Sequence, residues 1–130
     1  MNISKKYTSK RSPEVWYIAW ISEKTVIPPA VKIESEQKIG GQFILHAKMG
    51  SETTRMTGKF LNLSYGKMVQ YTWEWEGSHE PTTVTVEFSR KGNETVISLE
   101  HTGFKSEESQ NAHSMGWDSY VNSVEAFLEA

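Results

Sequence analysis

"HSMGWDSYVNSVEAFL" (residues 113–128) is the stretch whose reading decides the fold. At about 100° per residue, Trp117, Tyr120, Val121, Val124, Phe127 and Leu128 fall within an arc of roughly 120°, the apolar stripe of an amphipathic helix. A helix of this length needs a broad apolar surface to cover. The same stripe runs back one turn to His113 and a further turn to Gln110, where it becomes polar. The ordinary reading is a helix leaving its core at that end. The functional reading is a helix whose N-terminal end overlooks a pocket, with Gln110 and His113 at its mouth.

The surface for that helix lies upstream. Phe43, Leu45, Ala47 and Met49 alternate with polar or intervening residues, as do Met56, Gly58 and Phe60. The same holds for Val69, Tyr71, Trp73 and Trp75, for Val84, Val86 and Phe88, and for Ile97, Leu99 and His101. Period-two patterning separated by turns at Gly40-Gly41, Met49-Gly50-Ser51, Tyr65-Gly66-Lys67, Gly77-Ser78 and Lys91-Gly92-Asn93 predicts successive antiparallel hairpins with one apolar face. Before them, Ser12-Pro13-Glu14 has the cap, first-position proline and acidic first turn of a helix start. That helix ends near Ser22, a further short helical turn is expected between Glu23 and Ile27, and Pro28-Pro29 blocks continuation. The expected order is strand, helix, helical turn, about six strands, long helix: an α+β chain in one domain spanning residues 1–130.

Composition removes several function classes. With no cysteine, disulfides, thiol catalysis and thiolate metal sites are excluded. Net charge is −2 and the 14 basic residues are scattered, so no nucleic-acid partner is expected. No apolar run approaches the ~20 residues of a membrane span. The basic start MNISKKYTSKR lacks the apolar middle of a secretory signal and reads as a first strand, so a cytoplasmic location is expected. Five Trp, five Tyr and five Phe give the chain a large aromatic complement, suited to a core and to a ligand pocket.

The pieces Ser12-Pro13-Glu14-Val15-Trp16, Ile39-Gly40-Gly41-Gln42-Phe43, Gly58-Lys59-Phe60, Val69-Gln70-Tyr71-Thr72-Trp73, Thr83 to Phe88, Thr95 to Phe104 and Gly116-Trp117 occur in this order along nearly the whole chain. Together they resemble the START-like (SRPBCC) helix-grip superfamily that includes the birch-pollen-allergen type, and within it the branch named for the activator of heat-shock-protein ATPase. The resemblance implies a helix-grip fold: a curved antiparallel sheet of six to seven strands gripping a long C-terminal helix, with two short helices after the first strand. It also implies a cavity between sheet and helix, in which many such domains hold apolar molecules. Two alternatives come with it: a chaperone-linked or self-associating interaction module, and a cyclase- or dehydratase-like enzyme using the same cavity.

Strand parity and helix phase place Phe43, Leu45, Met56, Phe60, Tyr71, Trp73, Val84, Val86, Leu99, His101, His113 and Trp117 on the faces that enclose this cavity, and these are the expected ligand-binding residues. Each aromatic or aliphatic member would serve equally as plain core, and each histidine as a buried ring with a hydrogen-bond partner. No metal or cofactor is expected: His46 and His79 do not converge with His101 and His113, and catalytic zinc usually takes three protein ligands. Glu74 and Glu76 alternate with Trp73 and Trp75 and should face solvent. Gly40-Gly41 lacks a phosphate loop's lysine-serine ending, and no serine lies in a nucleophile-elbow motif, so no catalytic set is read. The expected ligand is small and hydrophobic or amphipathic, in a cavity of roughly 300 Å³ or more.

Overall fold

The computed structural model describes residues 1–129. Its elements are β1 (Asn2–Ser9), α1 (Pro13–Ile21), β2 (Ala30–Ser35), β3 (Gln42–Met49), β4 (Glu52–Ser64), β5 (Met68–Trp75), β6 (Thr82–Lys91), β7 (Glu94–Thr102) and α2 (Glu107–Glu129). The strands form one antiparallel sheet in the order β1-β7-β6-β5-β4-β3-β2. Hairpins join β2 through β7 in sequence, and β1 returns to the far edge beside β7, with Ile3 opposite His101 and Tyr7 opposite Ile97. This is the helix-grip architecture, with α2 and α1 on the apolar face of the sheet.

The start of α1 follows its sequence signals: the Ser12 hydroxyl accepts from the Val15 amide at 3.2 Å, and Pro13 occupies the first turn. The expected second helix does not form. Glu23-Lys24 make a turn, and the chain then runs without regular structure to β2. Five residues leave little room for a helix, Thr25, Val26 and Ile27 are β-branched, and Pro28 disfavours helical backbone at Ile27.

Curvature has a visible cause in β4. The β4–β5 register shifts between Phe60 and Asn62. Nearby, a Cβ on Gly58 would stand 1.9 Å from the Thr72 carbonyl oxygen, so only glycine permits that approach of the two strands. The bulge and the close approach bend the sheet towards the helices.

The buried side chains form one cluster. Tyr17 and Trp20 of α1 meet Phe88 of β6, and Trp16 together with Trp117, Val121 and Val124 of α2 join the same mass. Phe127 departs from the expected stripe and is 42% exposed. It lies about 80° around the helix from Trp117, at one rim of the arc, whereas Val124 lies at its centre. Polar bonds fix the helix to the edge strand. Lys5 and Tyr7 donate to Asp118 at 2.8 and 2.7 Å, and Ser9 and Arg11 donate to Glu125 at 2.6 and 2.7 Å. The helix therefore leans on the β1 side, and the apolar face of β2–β5 is left to be closed by other means.

Candidate ligand cavity between the sheet and the C-terminal helix

That uncovered half of the sheet forms the floor of a cavity of about 400 Å³, partly open to solvent. β2, β3 and β5 contribute Ile33, Phe43, Leu45, Tyr71, Trp73 and Trp75. The segment Thr25 to Ala30 forms one rim, and α2 supplies Ala112, His113, Gly116, Trp117, Ser119 and Tyr120. Trp20, at the end of α1, closes the back.

The aromatic rings hold each other in fixed orientations. Trp20 and Trp117 stack with centroids 5.8 Å apart and planes 20° apart. Trp73 lies 5.3 Å from Trp117 and 5.7 Å from Trp75, the latter pair edge-to-face. Tyr120 stands edge-on to both Trp20 and Trp117. Packed aromatic edges and faces leave little rotamer freedom, so these walls are preformed.

The hydrogen bonds of the two histidines select opposite tautomers. Nδ1 of His113 donates to the Ser109 carbonyl at 2.8 Å, which leaves Nε2 to accept from the indole N–H groups of Trp73 and Trp75, each at 3.2 Å. In His101 the pattern reverses. Its Nδ1 accepts from the Trp117 indole at 3.0 Å, and its Nε2 donates to the Thr82 hydroxyl at 2.7 Å, which in turn donates to the Trp73 carbonyl. Burial, reinforced by nearby His113 and opposed by Glu80, pushes the His101 pKa down to about 3. Glu80 anchors this end of α2: its carboxylate accepts from the Ser109 hydroxyl at 2.6 Å and the Lys105 amide at 2.8 Å, and these bonds hold its pKa below the usual range.

The phenols differ. Burial raises the pKa of both Tyr71 and Tyr120, with Tyr120 adding to the effect on Tyr71. Tyr71 Oη accepts from the Trp20 indole at 3.0 Å. The Tyr120 hydroxyl has no hydrogen-bond partner among the described residues.

Of the twelve residues expected to bind ligand, Phe43, Leu45, Tyr71, Trp73, His113 and Trp117 lie on the cavity wall. Met56, Phe60, Val84, Val86, Leu99 and His101 do not; they are buried in the core behind it. Alternation identifies the inward face of a strand but not where along that face the helices stop covering it. Gln110 also moves away from the mouth, because its amide donates to the Asn2 carbonyl and ties α2 to β1. Trp20, Ile33, Pro28, Pro29, Gly116 and Tyr120 join the wall instead. Tyr120 was readable from its place on the stripe; Trp20 was not, because its place depends on how α1 docks on the sheet, and the prolines were not, because theirs depends on the path of the loop.

No group of three His, Asp or Glu side chains among the described residues is placed to share a metal ion. His46 faces the outer side of the sheet and contacts Glu34 at 2.6 Å. No helix of the described residues is long and apolar enough to cross a membrane.

A family model described as activator of Hsp90 ATPase homolog 1-like protein matches residues 10–129. The chain belongs to this family. A search of curated protein sequences gave no match. Among solved structures, the activator-homologue fold recurs in a Mesorhizobium loti protein with TM-score 0.87 and 18% identity, covering 99% of this chain and 97% of that one. It recurs in a Plasmodium falciparum protein described as an HSP90 activator, with TM-score 0.82 and 23% identity over 99% and 96% of the two chains. The structure of Ara h 8.0201 matches with TM-score 0.81 and 12% identity over 98% and 96% of the two chains. At these identities the likeness is one of fold, shared between the activator-homologue family and the pollen-allergen type.

Proposed function

We propose that this activator-homologue domain binds a small apolar molecule between its sheet and C-terminal helix. The observation that carries the reading is the cavity itself: about 400 Å³, walled by aromatic and aliphatic side chains, with no Lys, Arg, Asp or Glu in its lining. Pockets of this size and character are typical of sites for small molecules. Gly116 supports the reading. It lies inside α2, and a Cβ there would meet nothing within 4 Å. Glycine in a helix interior is unfavourable by about 0.8–1 kcal/mol relative to alanine. Close packing does not require it at this position, and its effect is to leave space in the cavity wall.

The test is titration with Nile red, whose emission rises and shifts to the blue on entering an apolar site. Wild-type protein should give a saturable blue-shifted signal, and Gly116→Phe, which fills the cavity, should abolish it while keeping the wild-type circular dichroism. An equal signal from both proteins would sink the reading.

A protein-partner role is the second reading, favoured by the family match and by the description of the Plasmodium relative as an HSP90 activator. It makes a different demand: binding of purified chaperone on a surface away from the cavity should survive Gly116→Phe, which alters the cavity wall.

A further inference from the structure

Two phenol hydrogens on the cavity wall are not used by the protein. Tyr71 Oη receives the Trp20 indole N–H on one lone pair, so its own hydrogen points elsewhere, and no described residue accepts it. Tyr120 Oη makes no hydrogen bond at all among the described residues, not even to Tyr71. Both rings line the cavity, between the Trp20–Trp117 stack and Phe43. A phenol hydrogen on an apolar wall with no protein acceptor favours a ligand that brings one. The ring nitrogens of the wall are already committed: the Trp73 and Trp75 indoles to His113, and His113 to both and to Ser109, which leaves only the aliphatic hydroxyls of Thr25 and Ser119 beside the two phenols among the lining side chains.

The chemistry of the acceptor follows from the wall. With no Lys, Arg, Asp or Glu lining the cavity, an ionised ligand would lose its hydration without gaining a counter-charge. A neutral acceptor loses far less. A carbonyl oxygen has two lone pairs and can take both phenol hydrogens at once. The walls on either side are flat indole and phenol faces, which suit ring systems by stacking or edge contact.

We infer that the natural ligand is a neutral, ring-bearing carbonyl compound whose oxygen is held by the hydroxyls of Tyr71 and Tyr120. This rests on the cavity-binding reading and adds to it the ligand's charge state, its polar handle and the two residues that select it. Tyr120→Phe is the clean variant, because it removes a donor and breaks no internal hydrogen bond. Tyr71→Phe is less suitable, since it would also orphan the Trp20 indole.

The experiment is calorimetric titration with three compounds of similar shape: benzophenone, its alkene isostere diphenylethylene, and the anionic benzoylbenzoate. Each neutral hydrogen bond contributes a net factor of about two to ten in affinity. Wild-type protein should therefore bind benzophenone about tenfold more tightly than diphenylethylene, and benzoylbenzoate most weakly of the three. Tyr120→Phe should shrink the ketone-to-alkene ratio to about threefold or less while leaving diphenylethylene affinity unchanged. Equal wild-type affinity for ketone and alkene, a ratio unaltered by Tyr120→Phe, or benzoylbenzoate binding as tightly as benzophenone would each overturn the inference while leaving the apolar cavity standing. Failure of the wild type to bind either neutral compound would overturn the cavity reading as well.

Discussion

His113 Nε2 accepts the indole hydrogens of both Trp73 and Trp75, at 3.2 Å each, and so joins the N-terminal half of α2 to the floor of the cavity. One lone pair shared between two donors is sufficient only while the ring keeps its proton on Nδ1, where Ser109 accepts it. His113→Ala removes the acceptor and leaves two half-buried indoles to find water. The expected loss is about 1–2 kcal/mol in urea denaturation, with a larger relative change in affinity for any cavity ligand.

Trp117→Ala should be far more damaging. That ring stacks on Trp20, packs against Trp73 and donates to buried His101. Its truncation should remove about 3–5 kcal/mol of stability, measured by the same urea titration. A smaller loss from Trp117→Ala than from His113→Ala would contradict the division of α2 into a clamp at Trp117, Val121 and Val124 and a ligand-facing end around His113.

The histidine behind the wall gives a pH dependence. His101 is 0% exposed, and its folded pKa of about 3 lies below the ordinary value of 6.5. The unfolded chain therefore takes up the proton first. Stability from this residue is complete above pH 6.5 and falls as the pH drops towards 3, with a slope of up to about 1.4 kcal/mol per pH unit. Between pH 6.5 and 5, urea midpoints of the wild type should fall more steeply than those of His101→Gln, which keeps an acceptor and a donor but does not titrate. Parallel curves would show that His101 is not buried as a neutral ring.

Gly116 separates stability from binding. Gly116→Ala should raise stability by about 0.8–1 kcal/mol, since its methyl group meets no neighbour. Its effect on ligand affinity should be small beside that of Gly116→Phe. A destabilising Gly116→Ala would mean that the helix backbone is closer to the sheet than the cavity requires.

Much of this was legible in the residues themselves. Alternation from Phe43 to His101 gave strands and their inward faces, and the stripe from Trp117 to Leu128 required a sheet to cover. The inward direction of His101 and the pocket-facing position of His113 followed from parity and phase alone. What local pattern does not encode is depth. Met56, Phe60 and Leu99 carry the same inward parity as Phe43 and Tyr71, yet they are buried off the cavity wall, Phe60 beneath the rings of Phe43 and Tyr71 that pack against it. The lean of α2 is set by polar pairs distant in sequence, Lys5 and Tyr7 with Asp118 and Arg11 with Glu125, and Gln110 is drawn to β1 by the same tilt. No periodicity records such a tilt. The contribution of Trp20 is likewise a matter of how α1 docks, and that of Pro28-Pro29 of loop path.

The cavity contains its own reporters. Of the five tryptophans, Trp20, Trp73, Trp75 and Trp117 line it, while Trp16 is buried elsewhere in the core with no partner for its indole nitrogen among the described residues. Each indole N–H gives one cross-peak in a proton–nitrogen NMR spectrum. Titration with benzophenone should move the four lining indoles in a saturable way and leave Trp16 near its free position. Shifts confined to surface loops, with all five indoles unmoved, would contradict ligand binding between the sheet and the C-terminal helix.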